Sequence, residues 1–229
     1  MAVESFSAIQ PPRRGNRRSE ALFDALEQEI VLGRLAPEQA LTEMDLAARF
    51  DCSQGTVREA LMRLAEEGLV NRQPNRGTHV AACYADDARA LLRIRREIEC
   101  SYLGRVVARA DAALERDLRA GLDAMRNAAR TGDEYALSVQ DRAFHARLFA
   151  AADLPLVAPM LTRCLIHNHR YKILNSQPNR ALAATAERHV PILDALIARD
   201  EPALRELLAH HIATIVDFGP DLSHAGAPK

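Results

Sequence analysis

The stretch Ser53–Val70, "SQGTVREALMRLAEEGLV", decides how the rest of the chain is read. Ser53 is a helix N-cap residue, able to accept a hydrogen bond from a first-turn N–H. Val57, Ala60, Leu61, Leu64 and Ala65 recur at the helical period and face inward, and Gly68 ends the segment. This leaves Gln54, Gly55, Thr56 and Arg58 at the exposed N-terminal end. Capping accounts for Ser53. It does not account for Arg58, a cation in the first turn, where the helix dipole disfavours positive charge. A phosphate or a guanine opposite Arg58 gives that charge a use; an intrahelical pair with an acidic neighbour is the other reading.

Working outward, an apolar stripe at Leu22, Ala25, Leu26 and Ile30 marks a helix from Ser19 that stops at Gly33 and Pro37. Thr42 and Asp45 form a capping pair for a short helix burying Leu46, Ala47 and Phe50. Residues 51–53 separate it from the quoted helix, and two short helices so spaced make a helix-turn-helix. After Gly68, residues 69–72 and 78–81 read as extended runs around the turn "QPNRG", a small wing. The second helix of such a unit meets the major groove, so Ser53, Gln54, Gly55, Thr56 and Arg58 are the candidate DNA contacts. Arg72, Asn75, Arg76 and Gly77 of the wing join them, with Arg72 and Arg76 reaching phosphates or Arg76 the minor groove.

This order of elements, with the string "TVREALMRLAEEGLV" followed by "NRGTHV", resembles the winged helix-turn-helix of the GntR family of bacterial transcriptional regulators. The family usually carries Arg-Thr-Pro where this chain has Gln54, Gly55 and Thr56. Because Gln pairs with adenine where Arg pairs with guanine, the resemblance implies an altered operator sequence.

The chain of 229 residues, 48% of them hydrophobic, is long enough for two modest domains. A net charge of −1 gives no bulk attraction to nucleic acid. The basic residues are nearly all Arg, with Lys only at Lys172 and Lys229. Cys52, Cys83, Cys100 and Cys164 show no CxxC spacing, which argues against a disulfide framework or zinc knuckle. No apolar run is long enough for a membrane span and no signal-peptide core precedes the first helix, so a cytoplasmic protein without membrane contact is expected. The expected organisation is a mobile arm over 1–18, containing "PPRRGNRR", a DNA-binding domain over 19–82, a helical bundle over 86–218 and a tail over 219–229.

The bundle divides into six helical segments, about 86–109, 112–130, 133–151, 154–174, 180–198 and 201–217. Asp141 and His145 stand at i and i+4 on one face. His189 falls near the middle of the fifth segment. His211 lies three residues after Leu208 and four before Ile215, close to the apolar seam, while His210 points about 100° away. One aspartate and three histidines on three inward-facing helices make a mixed nitrogen–oxygen site for a divalent metal: zinc first, then nickel, manganese or iron, rather than magnesium or calcium.

The pieces "LRIRREIE", "DRAFH", "ERHVPILDALIARD" and "AHHI" resemble, in that order, the FCD ligand-binding domain of the FadR-like GntR regulators, and six segments resemble its VanR-type subgroup. The resemblance implies that Asp141, His145, His189 and His211 are the metal ligands and that Arg95 lies near the effector. Pro191, two residues after His189, departs from the family helix and is expected to kink it. The implied mechanism is a small carboxylate effector bound at the metal and Arg95 of a homodimer, altering its hold on double-stranded operator DNA. A metal-dependent enzyme and a DNA-binding protein whose bundle only dimerises are the alternatives.

Overall fold

The computed structural model describes residues 14–73, 77–175 and 181–215. The chain divides into two compact units. One holds Leu35–Ala81 together with the first helix as far as Ile30; the other runs from Ala82 and includes the short piece Val31–Arg34.

The first unit begins with α1 (Arg14–Val31), whose Leu22, Leu26 and Ile30 are buried. The helix starts inside the segment expected as a mobile arm. Once its apolar stripe is anchored, extending it through Arg17 and Arg18 costs little, because Arg is a good helix former. Then come β1 (Ala40–Leu41), α2 (Glu43–Arg49), α3 (Gln54–Glu66), β2 (Val70–Gln73) and β3 (Gly77–Val80). The strands make an antiparallel sheet in the order β1-β3-β2, with Val70 opposite Val80, Arg72 opposite Thr78, and Leu41 also opposite Thr78. β1 was not expected: two residues are too few to show alternation.

Capping fixes the helix ends. Thr42 Oγ1 accepts from the Asp45 N–H at 3.1 Å, and Ser53 Oγ accepts from the Thr56 N–H at 3.1 Å. Between α2 and α3 the chain passes through Asp51 at φ 47°, a left-handed conformation that Asp tolerates better than most residues. Gly68, at φ 73°, closes α3: its N–H donates to the Ala65 carbonyl and that of Leu69 to the Leu64 carbonyl. These two bonds are the Schellman pattern, and they turn the chain directly into β2.

The second unit is all helical among the described residues: α4 (Ala85–Ser101), α5 (Leu103–Arg109), α6 (Ala112–Thr131), α7 (Glu134–Ala150), α8 (Ala158–Asn175), α9 (Leu182–Glu187), α10 (Val190–Ile197) and α11 (Glu201–Ala213). Three breaks are set by aspartate caps: Asp111, Asp133 and Asp200 accept from the N–H groups of Leu114, Ala136 and Ala203. α6 buries Leu114, Leu118, Leu122, Met125 and Ala128 on one stripe, and Phe144, Leu148, Leu165, Ile192, Leu196, Leu204 and Leu208 complete the core.

Two of the six expected segments are each two helices. The first breaks at Tyr102, and the fifth at Arg188 and His189. Pro191 therefore does not kink a continuous helix. It sits in the first turn of α10, where a missing N–H leaves no bond unmade, and His189 is the N-cap residue rather than a mid-helix one.

Candidate functional site

The α3 N-terminus of the first unit presents Gln54 and Gly55 to solvent, with Thr56 half-buried. Ser53 is occupied by capping, its Oγ lying 3.0 Å from Thr56 Oγ1 as well. Arg58 is exposed but not unpaired: its Nε and Nη2 donate to Glu43 Oε1 and Oε2 of α2 at 3.1 and 2.7 Å. The charge that the sequence left without a partner, or gave to an intrahelical neighbour, is met from the adjoining helix. Arg72 of β2 approaches the same carboxylate, with Nη2 3.7 Å from Oε1. The hydrogen bond from Arg58 holds the Glu43 carboxyl below its ordinary range. Gly77 opens β3 at φ 77° with open space around it, so its backbone conformation demands glycine, not crowding. Asn75 and Arg76 lie outside the described residues.

In the second unit the structure brings together the four residues expected to bind metal. Ligand atoms of Asp141 and His145 from α7, His189 at the α10 cap and His211 from α11 lie within 4.8 Å of one another, all buried. His145 Nε2 is 3.1 Å from His211 Nε2 and 3.7 Å from Asp141 Oδ1, and His189 Nε2 is 3.5 Å from Asp141 Oδ2. Ligands about 2.1 Å from one ion stand roughly 3.0–3.4 Å apart at octahedral to tetrahedral angles, so the donor set is near the size required. Asp141 Oδ2, His189 Nε2 and His211 Nδ1 are buried without hydrogen-bond partners. A buried polar atom left unsatisfied costs about 1–3 kcal/mol; a cation between Asp141 Oδ2 and His189 Nε2 would satisfy both, whereas His211 meets the cluster through Nε2 and its Nδ1 lies on the other side of the ring. The residues fit a divalent metal.

Two further residues complete the cluster, and sequence reading missed both. Glu99 of α4 accepts from Arg95 Nε on Oε1 at 2.5 Å and from His145 Nδ1 on Oε2 at 2.7 Å. His169 of α8 donates from Nε2 to Asp141 Oδ1 at 3.0 Å. The Arg95–Glu99 spacing of four was visible in the sequence as a helical pair. His169 gave no signal, because Asn168, His169 and Arg170 are three consecutive buried polar residues with no periodicity to set them apart. Arg95 is fully buried, and its Nη1 and Nη2 have no partner.

Burial shapes the protonation of the cluster. It disfavours the charged imidazolium and lowers His145, brings His169 down to about 4 despite Asp141, and holds His211 well below its ordinary value. Burial would raise the carboxyls, but Arg95 and His145 outweigh it at Glu99 and bring that group to about 2. His169 and His189 likewise hold Asp141 well below the usual carboxylate range. Neutral imidazoles beside an ionised aspartate are the protonation state that metal binding requires.

A winged helix-turn-helix is a DNA-binding fold, and here it is followed in the chain by an all-helical unit with a buried His/Asp cluster. Residues 18–80 match the bacterial regulatory proteins of the gntR family, and residues 90–214 match the FCD domain. The chain belongs to the GntR family of transcriptional regulators, in the branch that carries an FCD domain. It is 33% identical over 223 residues to the uncharacterized HTH-type transcriptional regulator BphR of Paraburkholderia xenovorans (strain LB400), covering 93% of this chain and 90% of that protein. It is 30% identical over 190 residues to the "Probable D-xylose utilization operon transcriptional repressor" of Paenarthrobacter nicotinovorans, covering 83% of each. Among solved structures, a GntR regulator from Rhodococcus sp. RHA1 superposes with a TM-score of 0.71 at 26% identity, covering 92% of this chain and all of that one. The protein is a DNA-binding regulator and not an enzyme. Regulators of this family bind operator DNA and typically dimerise. Among the described residues no helix is long and apolar enough to cross a membrane.

Proposed function

We propose that this regulator responds to a small organic acid through a metal-containing pocket in its helical domain. The domain boundaries in this reading are 19–82 for DNA binding and 86–218 for effector binding and dimerisation, flanked by the arm and the tail. Asp141, His145, His189 and His211 hold a divalent ion, zinc before nickel, manganese or iron. The ion supplies a Lewis-acidic partner for a carboxylate. Arg95 supplies the second, through the two Nη atoms that its bond to Glu99 leaves unused. The observation that carries the reading is this unsatisfied, fully buried guanidinium joined through Glu99 to a metal-sized donor set.

In the same reading the exposed end of α3 and the wing meet operator DNA, through Ser53, Gln54, Gly55, Thr56, Arg58, Arg72, Asn75, Arg76 and Gly77. Effector binding in a cytoplasmic homodimer changes operator affinity by a coupling free energy of about 1–3 kcal/mol. The test is elemental analysis of the purified protein, then a thermal-shift screen of small carboxylic acids with and without chelator. Stabilisation by a carboxylate in the metal-loaded protein that disappears in Arg95→Ala is expected. A protein that contains no metal and answers to no acid refutes the reading.

A further inference from the structure

Imidazoles that bind a metal through one nitrogen need the other held by an acceptor, which fixes both the tautomer and the ring plane. Two histidines of the cluster have such a partner, and the two partners differ. His189 Nδ1 donates to the Thr185 carbonyl at 3.0 Å, a backbone contact that comes with the local helix geometry. His145 Nδ1 depends on a side chain, the carboxylate of Glu99. That carboxylate is shared. Its other oxygen takes Arg95 Nε, which leaves Nη1 and Nη2 as the unused end of the guanidinium. One buried residue thus sets the orientation of a metal ligand and of the candidate effector-binding cation.

We propose that Glu99 is the positioning residue that couples the two halves of the ligand site. It holds His145 as the Nδ1–H tautomer with Nε2 free for metal, and it orients Arg95. The inference rests on the metal reading above. A simpler role, balancing the buried Arg95 charge, requires only an anion somewhere near the guanidinium. It does not require the second oxygen to sit 2.7 Å from His145 Nδ1.

Glu99→Gln separates the two roles. The glutamine has nearly the same shape but offers one oxygen and one NH2. Arg95 Nε can only donate, so it takes the oxygen. The NH2 then faces His145 Nδ1, forces that nitrogen to accept, and leaves the proton on Nε2, where it blocks metal coordination. Zn2+ titration of metal-stripped full-length protein against a chromophoric chelator is expected to show affinity reduced about 10- to 100-fold in Glu99→Gln. In the metal-free wild type, 15N-histidine spectra are expected to show His145, assigned by its loss in His145→Gln, protonated on Nδ1. Wild-type Zn2+ binding with unchanged affinity in Glu99→Gln overturns the proposal while leaving the metal reading intact, even if the variant is less stable. If Glu99→Gln does not fold, the wild-type spectrum decides, and an Nε2–H tautomer overturns the proposal. A wild type that binds no Zn2+, Ni2+, Mn2+ or Fe2+ overturns the metal reading and this coupling with it.

Discussion

His210 and His211 are adjacent, chemically identical, and expected to behave oppositely. His211 is 5% exposed and lies within the metal-sized cluster, whereas His210 faces solvent. The perturbation is His211→Ala against His210→Ala, each measured on metal-stripped protein with and without Zn2+. A ligand present at a hundred times its Kd stabilises the folded state by about 2.7 kcal/mol. For a helical unit of this size each kcal/mol moves Tm by roughly 3–5 °C, so wild type should gain roughly 8–13 °C. His210→Ala should keep that gain. His211→Ala should lose nearly all of it, because one of the four protein ligands is then gone. Differential scanning fluorimetry over a Zn2+ series reads the shift. A gain that survives in His211→Ala, or vanishes in His210→Ala, refutes the placement of α11 against the cluster.

At the DNA end, Glu43→Gln removes the anion that engages Arg58 and approaches Arg72. Binding to random-sequence duplex should tighten at low salt, and the slope of log K against log salt should steepen by about 1–2, near 0.9 per added phosphate contact. Arg58→Ala should instead weaken operator binding on the order of ten- to a hundredfold; an unchanged slope in the first variant and unchanged affinity in the second would remove this pair from the interface. Acid should destabilise the metal-free protein earlier than the carboxylates alone dictate. His145, His169 and His211 have folded values below 6.5, so the unfolded chain takes up protons first as pH falls. The stability they carry is present above about pH 6.5 and is lost as pH falls toward about 4. Glu99, at about 2 when folded, is lost only below its ordinary 4.5, so the fall between pH 6.5 and 4.5 belongs to the histidines. A Tm flat over that window in the presence of chelator contradicts the burial of neutral imidazoles.

What the sequence made legible is what local chemistry encodes. Ser53 and Thr42 announced their helices because capping needs only a side chain and an N–H three residues on. The bundle's segments were separated near 110–112, 131–133 and 199–201, and there the structure caps the following helices with Asp111, Asp133 and Asp200. At the divisions at Tyr102 and at Arg188–His189 the apolar periodicity continues, so the reading ran through them, although Gly104 and Pro191 each lie two residues beyond the break. Pro191, read as a kink, instead opens α10. The Asp141–His145 pair was visible as one helical turn, and His211 followed from its distance to Leu208. Contacts between elements left no trace in the pattern: Glu43 meeting Arg58, His169 meeting Asp141, and Glu99 reaching His145 across 46 residues.

The charges of the cluster argue for an order of events. The hydrogen-bonded set contains Arg95, Glu99, Asp141 and four histidines. With the imidazoles neutral, Arg95, Glu99 and Asp141 alone sum to −1, with the further cations Lys172 beside His169 and Arg188 at the His211 carbonyl standing at the edge of the set. An anionic effector entering then would meet a negative cluster in a medium that screens poorly. A divalent ion changes the sum to +1, and a monocarboxylate brings it to zero. Metal should therefore precede effector, and by linkage the effector should in turn tighten the metal by the same factor. The measurement is a two-way titration: Zn2+ affinity with and without the carboxylate found in the screen, and carboxylate affinity with and without Zn2+. Equal factors in both directions are expected, with carboxylate binding falling away under chelator. Full carboxylate affinity in metal-free protein would show that Arg95 holds the acid alone and that the ion serves only to join α7, α10 and α11.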